Sequence, residues 1–169
     1  MNAHEYLSGR EQFGIKFGLA GIGALVQALG DPQEAWPSVL VAGTNGKGSA
    51  VAYVASALQA SLRVGRYTSP HLVRVHERIT VDGVPIPESA LEECVAEVRQ
   101  AAERLVAAGR ISAHPTYFEA LTAAAFLHFR AEKVDAAVLE VGMGGRLDAT
   151  NVVEPLVSAI VTVERDHEA

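Results

Sequence analysis

The chain has 169 residues, of which 49% are hydrophobic and 20% charged, an ordinary globular composition with material for a core. Its net charge of −6, with 14 scattered Lys and Arg, excludes a basic nucleic-acid binder. The single cysteine, Cys94, excludes an internal disulfide and fits a reducing compartment, and no apolar run approaches the ~20 residues that span a bilayer.

The first ten residues are polar and lack the apolar centre of a secretory signal. Ile22, Leu25, Val26 and Leu29 recur at helical spacing, and Gly30-Asp31-Pro32 stops that helix. Val39 to Ala42 is a short apolar run ending at Gly43, which reads as a buried strand. An Ala-rich helix is expected over 48–59 and a second strand over 64–68. Asp82-Gly83 between 78–81 and 84–86 is a hairpin signal.

Pro87 and Glu88 open a long helix with Leu91, Val95, Val98, Ala102, Leu105 and Val106 on one face, and Gly109 ends it. Its acidic residues Glu88, Glu92, Glu93 and Glu97 read as a solvated face. A further helix is expected over 116–130, with Phe118, Leu121, Thr122, Ala125, Phe126 and Phe129 on its apolar side. Trp36, Phe126 and Phe129 read as packing residues. The last two strands are expected over 136–141 and 158–163. Strands alternating with helices predict an α/β fold, a mostly parallel sheet with helices on both faces, and such sheets bind ligands at the carboxyl ends of their strands. The final strand has no following helix to cover it, which reads as truncation within a domain.

Gly43-Thr44-Asn45-Gly46-Lys47-Gly48-Ser49 joins the first strand to a helix. Its glycines permit a tight turn, the helix N-terminus favours anions, and Lys47 supplies a mobile charge. The strict Walker A pattern is not met, because Val41 stands where it requires Gly and Gly48 where it requires Ser or Thr. Glu140 ends an apolar strand ahead of Gly142, Gly144 and Gly145. A carboxylate there suits Mg²⁺ beside phosphate groups.

The loop 43–49 resembles the ATP loop of the folylpolyglutamate synthase and dihydrofolate synthase family, within the Mur ligase superfamily. Tyr67-Thr68-Ser69-Pro70-His71-Leu72 with Glu77-Arg78-Ile79, and the segment from Glu140 to Asn151, resemble two further blocks of that family. Phe13-Gly14-Ile15-Lys16 and Thr116-Tyr117-Phe118-Glu119 are shorter echoes.

The resemblance implies a P-loop NTPase-like Mur-ligase ATPase domain. It implies an ATP- and Mg²⁺-dependent ligase that adds L-glutamate to dihydropteroate or folate through an acyl phosphate. It assigns Thr44, Asn45, Gly46, Lys47, Gly48 and Ser49 to ATP, with Lys47 also catalytic. It assigns Ser69, Glu140 and His167 to Mg²⁺. It assigns Thr116, Tyr117, Phe118, Glu119, Leu147, Asp148 and Ala149 to the pterin-bearing substrate, with Lys16-Phe17-Gly18 as a weaker candidate. Glu164 stands where the family commonly has Gly, two residues before Asp166. His71 reads equally as a ligand contact or a capped loop histidine.

On this reading the 169 residues are the first part of an N-terminal ATP-binding domain, with the rest of that domain and a C-terminal glutamate-ligase domain absent. A cytoplasmic protein follows, monomeric when full-length, with small-molecule partners and neither nucleic acid nor membrane. The alternatives are a Mur-type peptide ligase and a catalytically inactive nucleotide-binding fragment.

Overall fold

The computed structural model describes residues 1–10 and 18–164. Helix α1 (Ala3–Ser8) and α2 (Ala20–Ala28) precede β1 (Ser38–Ala42), α3 (Lys47–Leu58), β2 (Val64–Tyr67), β3 (Ile79–Val81) and β4 (Val84–Pro85). Then come α4 (Glu88–Ala107), α5 (Tyr117–Ala131), β5 (Ala136–Glu140) and β6 (Val157–Ile160). The strands form one sheet in the order β4-β3-β2-β5-β1-β6. β2, β5, β1 and β6 run parallel, and β3 and β4 complete the sheet as the expected antiparallel hairpin.

Alternation along each strand divides the core into two layers, because successive side chains of a strand point to opposite faces. Leu40, Tyr67, Ala137 and Leu139 face the helices α1, α2, α4 and α5. Val41, Val64 and Val138 face Val51 and Ala55 of α3. The first layer is the thicker. Helix α5 lies within it, buried from Glu119 to Phe129 rather than along one stripe. Trp36 meets Phe126 and Phe129 edge-on at 5.4 and 5.8 Å, and such burial stabilises by about 2 kcal/mol per large side chain. Cys94 sits in the same layer, its thiol pushed up to about 12 by burial, so it is a packing group and not a nucleophile.

Most expected boundaries hold to within a residue. Helix α1 was not expected. Asn2 and Glu5 form a capping box at its start, and Ala3, Tyr6 and Leu7 are buried. The acidic face of α4 is only partly solvated. Glu92 accepts from the Ala3 N–H at 2.7 Å and ties α1 down, while Glu88 meets His76 at 3.0 Å. The last strand ends at Ile160, three residues before the expected 163. Beyond it the chain runs on beside the loop after β1, joined to it by further backbone hydrogen bonds. Val157 and Ile160 on this edge strand, and Leu156 just before it, are exposed. Among the described residues no helix is long and apolar enough to cross a membrane.

Candidate nucleotide and metal site

Strand order decides which loops meet. β5 lies between β1 and β2, with Glu140 opposite Val41 and Leu139 opposite Tyr67. The segments leaving the carboxyl ends of these three strands therefore converge, as expected of a parallel sheet. They carry the 43–49 loop, Ser69 and Glu140.

The 43–49 loop turns into α3 through Gly46, whose φ of +80° suits a residue without a side chain. The N-cap of α3 is Gly46, which has no side chain to cap the N–H groups of the first turn. Lys47 folds back over the loop, its Nζ donating to the carbonyls of Gly43 at 2.8 Å and Thr44 at 3.2 Å. Ser49 is exposed in the first turn of the helix.

Glu140 is 5% exposed. Its Oε2 accepts from the Ser69 N–H at 3.1 Å. A side chain at position 48 would begin 3.6 and 3.7 Å from its two oxygens, so Gly48 leaves this carboxylate open toward the phosphate loop. Burial raises the Glu140 carboxyl above its ordinary range, against the smaller opposing effects of the Ser69 N–H and Lys47. A buried acid raised in this way, beside a serine and a lysine, suits a hard divalent cation with oxygen ligands. Two of the three expected metal residues, Ser69 and Glu140, thus come together. His167 lies outside the described residues, as do Lys16 and Phe17. Among the described residues there is no group of three or more His, Cys, Asp or Glu placed to hold a metal.

The expected substrate residues fall in two places. Thr116 caps α5 in a capping box. Its hydroxyl accepts from the Glu119 N–H at 3.2 Å, and the Glu119 carboxylate accepts from the Thr116 N–H at 2.7 Å. Both therefore have a structural role, which the Thr-x-x-Glu spacing signals. Phe118 is half-buried and packs on Tyr67, ring centroids 5.9 Å apart. Tyr117 faces a cavity of about 490 Å³ that is also lined by His4, His71, Arg74 and His76.

Asp148 holds its own loop. One oxygen accepts from the Met143 N–H at 2.8 Å, and the other from the Thr150 N–H at 3.0 Å and hydroxyl at 2.6 Å. Ala149 is buried and Leu147 exposed. A second cavity, of about 460 Å³, opens between this loop and the phosphate loop, with Lys47, Gly142, Met143, Thr162 and Glu164 among its walls.

His71 has a definite role here. Its Nδ1 accepts from Arg78 Nε at 2.8 Å, and the Arg78 guanidinium lies 5.4 Å from the centroid of the Tyr117 ring. Arg78 thus links the loop after β2 to the start of α5, a part that sequence reasoning did not give it. Glu77 accepts from the N–H groups of Leu72, Val73 and Arg74, which hold its carboxyl below the ordinary range. Thr150 was also missed, though the Asp-x-Thr spacing of 148–150 is a signal for it, and Gly142, singled out in the sequence as part of the turn after Glu140, is packed closely against Phe118.

No family model matches the chain. It is 44% identical over 169 residues to the dihydrofolate synthase/folylpolyglutamate synthase of Bacillus subtilis (strain 168), covering 98% of this chain and 39% of that protein. It is 48% identical over 145 residues to the folylpolyglutamate synthase of Lacticaseibacillus casei, covering 85% of this chain and 34% of that protein. Among solved structures, an FPGS–AMPPCP–folate complex superposes with a TM-score of 0.88 at 43% identity, over 99% of this chain and 42% of that one. The chain therefore spans between about a third and two fifths of the length of these relatives.

Proposed function

This chain belongs to the folylpolyglutamate synthase and dihydrofolate synthase family, and we propose that it supplies the nucleotide-binding part of an ATP-dependent ligase joining L-glutamate to dihydropteroate or a folate. The observation that carries the proposal is the meeting of the phosphate loop, Ser69 and the buried Glu140 at the ends of β1, β2 and β5. The relatives it resembles are named for that activity, and one solved relative holds AMPPCP together with folate.

In this reading the substrate carboxylate takes the γ-phosphoryl group of ATP to give an acyl phosphate. The glutamate amine then displaces phosphate and forms the amide. Two anions must approach in the first step, so the chain has to supply positive charge and exclude water. Lys47 swings from its bonds with Gly43 and Thr44 to the terminal phosphates. The open first turn of α3 offers backbone N–H groups to the same phosphates. Ser69, Glu140 and His167 would hold Mg²⁺, which when bound neutralises phosphate charge. No side chain becomes covalently attached.

The cavity between Lys47 and Gly142-Met143 is where the acyl group would meet the nucleotide. We assign Tyr117 and Phe118 at the start of α5, and Leu147 and Asp148 on the loop that follows Gly142, to the pteroyl substrate. The protein is read as a cytoplasmic monomer, and sedimentation of the complete gene product tests the second half of that statement.

The direct test is to incubate the complete gene product with ATP, Mg²⁺, L-glutamate and either dihydropteroate or folate, and to weigh the products. Glutamylated product formed together with ADP is expected. ATP cleavage indifferent to both pteroyl substrates would contradict the proposal. The 169-residue chain alone is expected to bind nucleotide without forming amide.

A further inference from the structure

The pairing of β1 with β6 continues after both strands end. The Val161 N–H donates to the Ala42 carbonyl at 3.0 Å, and the Thr44 N–H to the Thr162 carbonyl at 2.8 Å. Two hydroxyls then take over. Thr162 Oγ1 accepts from the Asn45 N–H at 2.9 Å and donates to the Asn45 carbonyl at 3.0 Å. Thr44 Oγ1 accepts from the Glu164 N–H at 3.1 Å and donates to the Glu164 carbonyl at 3.2 Å. Asn45 Nδ2 donates to Glu164 Oε2 at 3.4 Å. Each threonine thus closes both backbone groups of one residue on the opposite segment. Only a group that is donor and acceptor at once can do that. The contact is close as well: a side chain at Gly43 would begin 2.7 Å from Val161 Cγ2 and 2.8 Å from the Thr162 carbonyl oxygen.

We infer that Thr44 and Thr162 form a reciprocal clamp, and that Thr162 is a positioning residue for nucleotide binding. The inference rests on the nucleotide reading of the 43–49 loop. Thr44 and Asn45, assigned to ATP by resemblance, are bonded to Thr162 and Glu164, so the groups of the loop left for a ligand are those that follow, at the start of α3. By fixing both backbone groups of Asn45, Thr162 sets the direction in which Gly46 turns the chain into that helix. A glycine-rich loop held in this way gives up little further freedom when phosphate arrives, which is preorganisation in favour of binding. Glu164 contributes mainly its backbone, which explains how a residue other than Gly is accommodated there.

The test is titration of the complete gene product with AMPPCP. Thr162→Val keeps the shape and removes the hydroxyl. It is expected to weaken AMPPCP binding roughly tenfold, the scale of losing a pair of hydrogen bonds. Thr162→Ser is expected to bind within about twofold of the natural protein on the same scale. Thr44→Val, which opens the other half of the clamp, is expected to show a loss like that of Thr162→Val. The melting temperature of Thr162→Val is expected to stay close to that of the natural protein, which general loosening of the fold would not permit.

Thr162→Val with natural affinity would overturn the clamp, and so would equal losses in the Val and Ser variants. Lys47→Ala separates the two readings. If it loses AMPPCP binding while Thr162→Val does not, the clamp fails and the nucleotide site stands. If Lys47→Ala binds normally, the nucleotide reading of the loop fails.

Discussion

The loops after β1 and β5 stand side by side at the carboxyl end of the sheet, and both turn on glycines at positive φ, Gly43 and Gly46 in one and Gly144 in the other. They are held in opposite ways. The 142–151 loop is closed on itself. Asp148 takes up the Met143 and Thr150 N–H groups, and Gly142 lies so close to Phe118 that a side chain there would begin 2.6 Å from its ring. The 43–49 loop holds its first half by borrowing partners from residues 162–164, and leaves its second half uncapped with Lys47 folded over it. The first arrangement is a finished scaffold. The second keeps donors and a charge in temporary bonds that a phosphate can replace. On the proposed reading, the 43–49 loop is the side of the cleft that exchanges partners with the nucleotide, and the 142–151 loop is the side that keeps its shape.

The comparison is broken most directly at Lys47. Lys47→Ala in the complete gene product is expected to lower ligation about a hundredfold or more, some 3 kcal/mol of barrier, with little change in melting temperature. Initial rates and thermal melts check both parts. Gly142→Ala is expected to do the reverse. The methyl group must displace the Phe118 ring, so the fold should lose on the order of 1–3 kcal/mol. Adding Phe118→Leu should restore part of the loss in denaturant titrations. A full-stability Gly142→Ala protein would show that the scaffold loop yields more readily than its packing implies.

Asp148→Ala removes the acceptor of three hydrogen bonds and is expected to cost about 1–3 kcal/mol. Hydrogen exchange should rise at Met143 and Thr150 and stay unchanged at Thr44, if the two loops are held independently.

The smallest effect is expected at Glu140 without metal. Burial raises its carboxyl above the ordinary carboxylate range, so folding with this group ionised is unfavourable. Stability from this group is therefore present below the unfolded value and lost as pH rises through the folded one. Glu140→Gln should melt slightly higher than the natural protein at neutral pH when metal is absent, and the gap should close on acidification below the ordinary carboxylate range. A variant that melts lower at neutral pH would contradict the burial argument.

The phosphate loop was legible in the sequence because its whole logic is local: an apolar strand, glycines, a lysine and a helix in consecutive order. The meeting of Ser69 with Glu140 was not, because it depends on β5 inserting between β1 and β2, a non-local pairing that no periodicity encodes. Resemblance supplied that pair, and the geometry supports it. Helix α1 was hidden by its polar composition, although Asn2 and Glu5 carry the capping signal and Tyr6 and Leu7 are buried. The last strand was read too long because the apolar run continues to Val163 while the ladder ends at Ile160. The residues between run on beside the phosphate loop and clamp it, and hydrophobicity does not distinguish those two uses. Thr116 and Glu119, given to substrate by analogy, also form a helix cap, which their Thr-x-x-Glu spacing carries in the sequence.

The central claim is that the loop after β1 and the Glu140 carboxylate at the end of β5 form one nucleotide–metal site. Calorimetric titration of AMPPCP into the complete gene product, with and without Mg²⁺, tests it in the natural protein and in Glu140→Gln. The account predicts that Mg²⁺ strengthens binding in the natural protein, and that Glu140→Gln loses most of this strengthening while its Mg²⁺-free binding is equal or tighter. Equal Mg²⁺ enhancement in both proteins would contradict it.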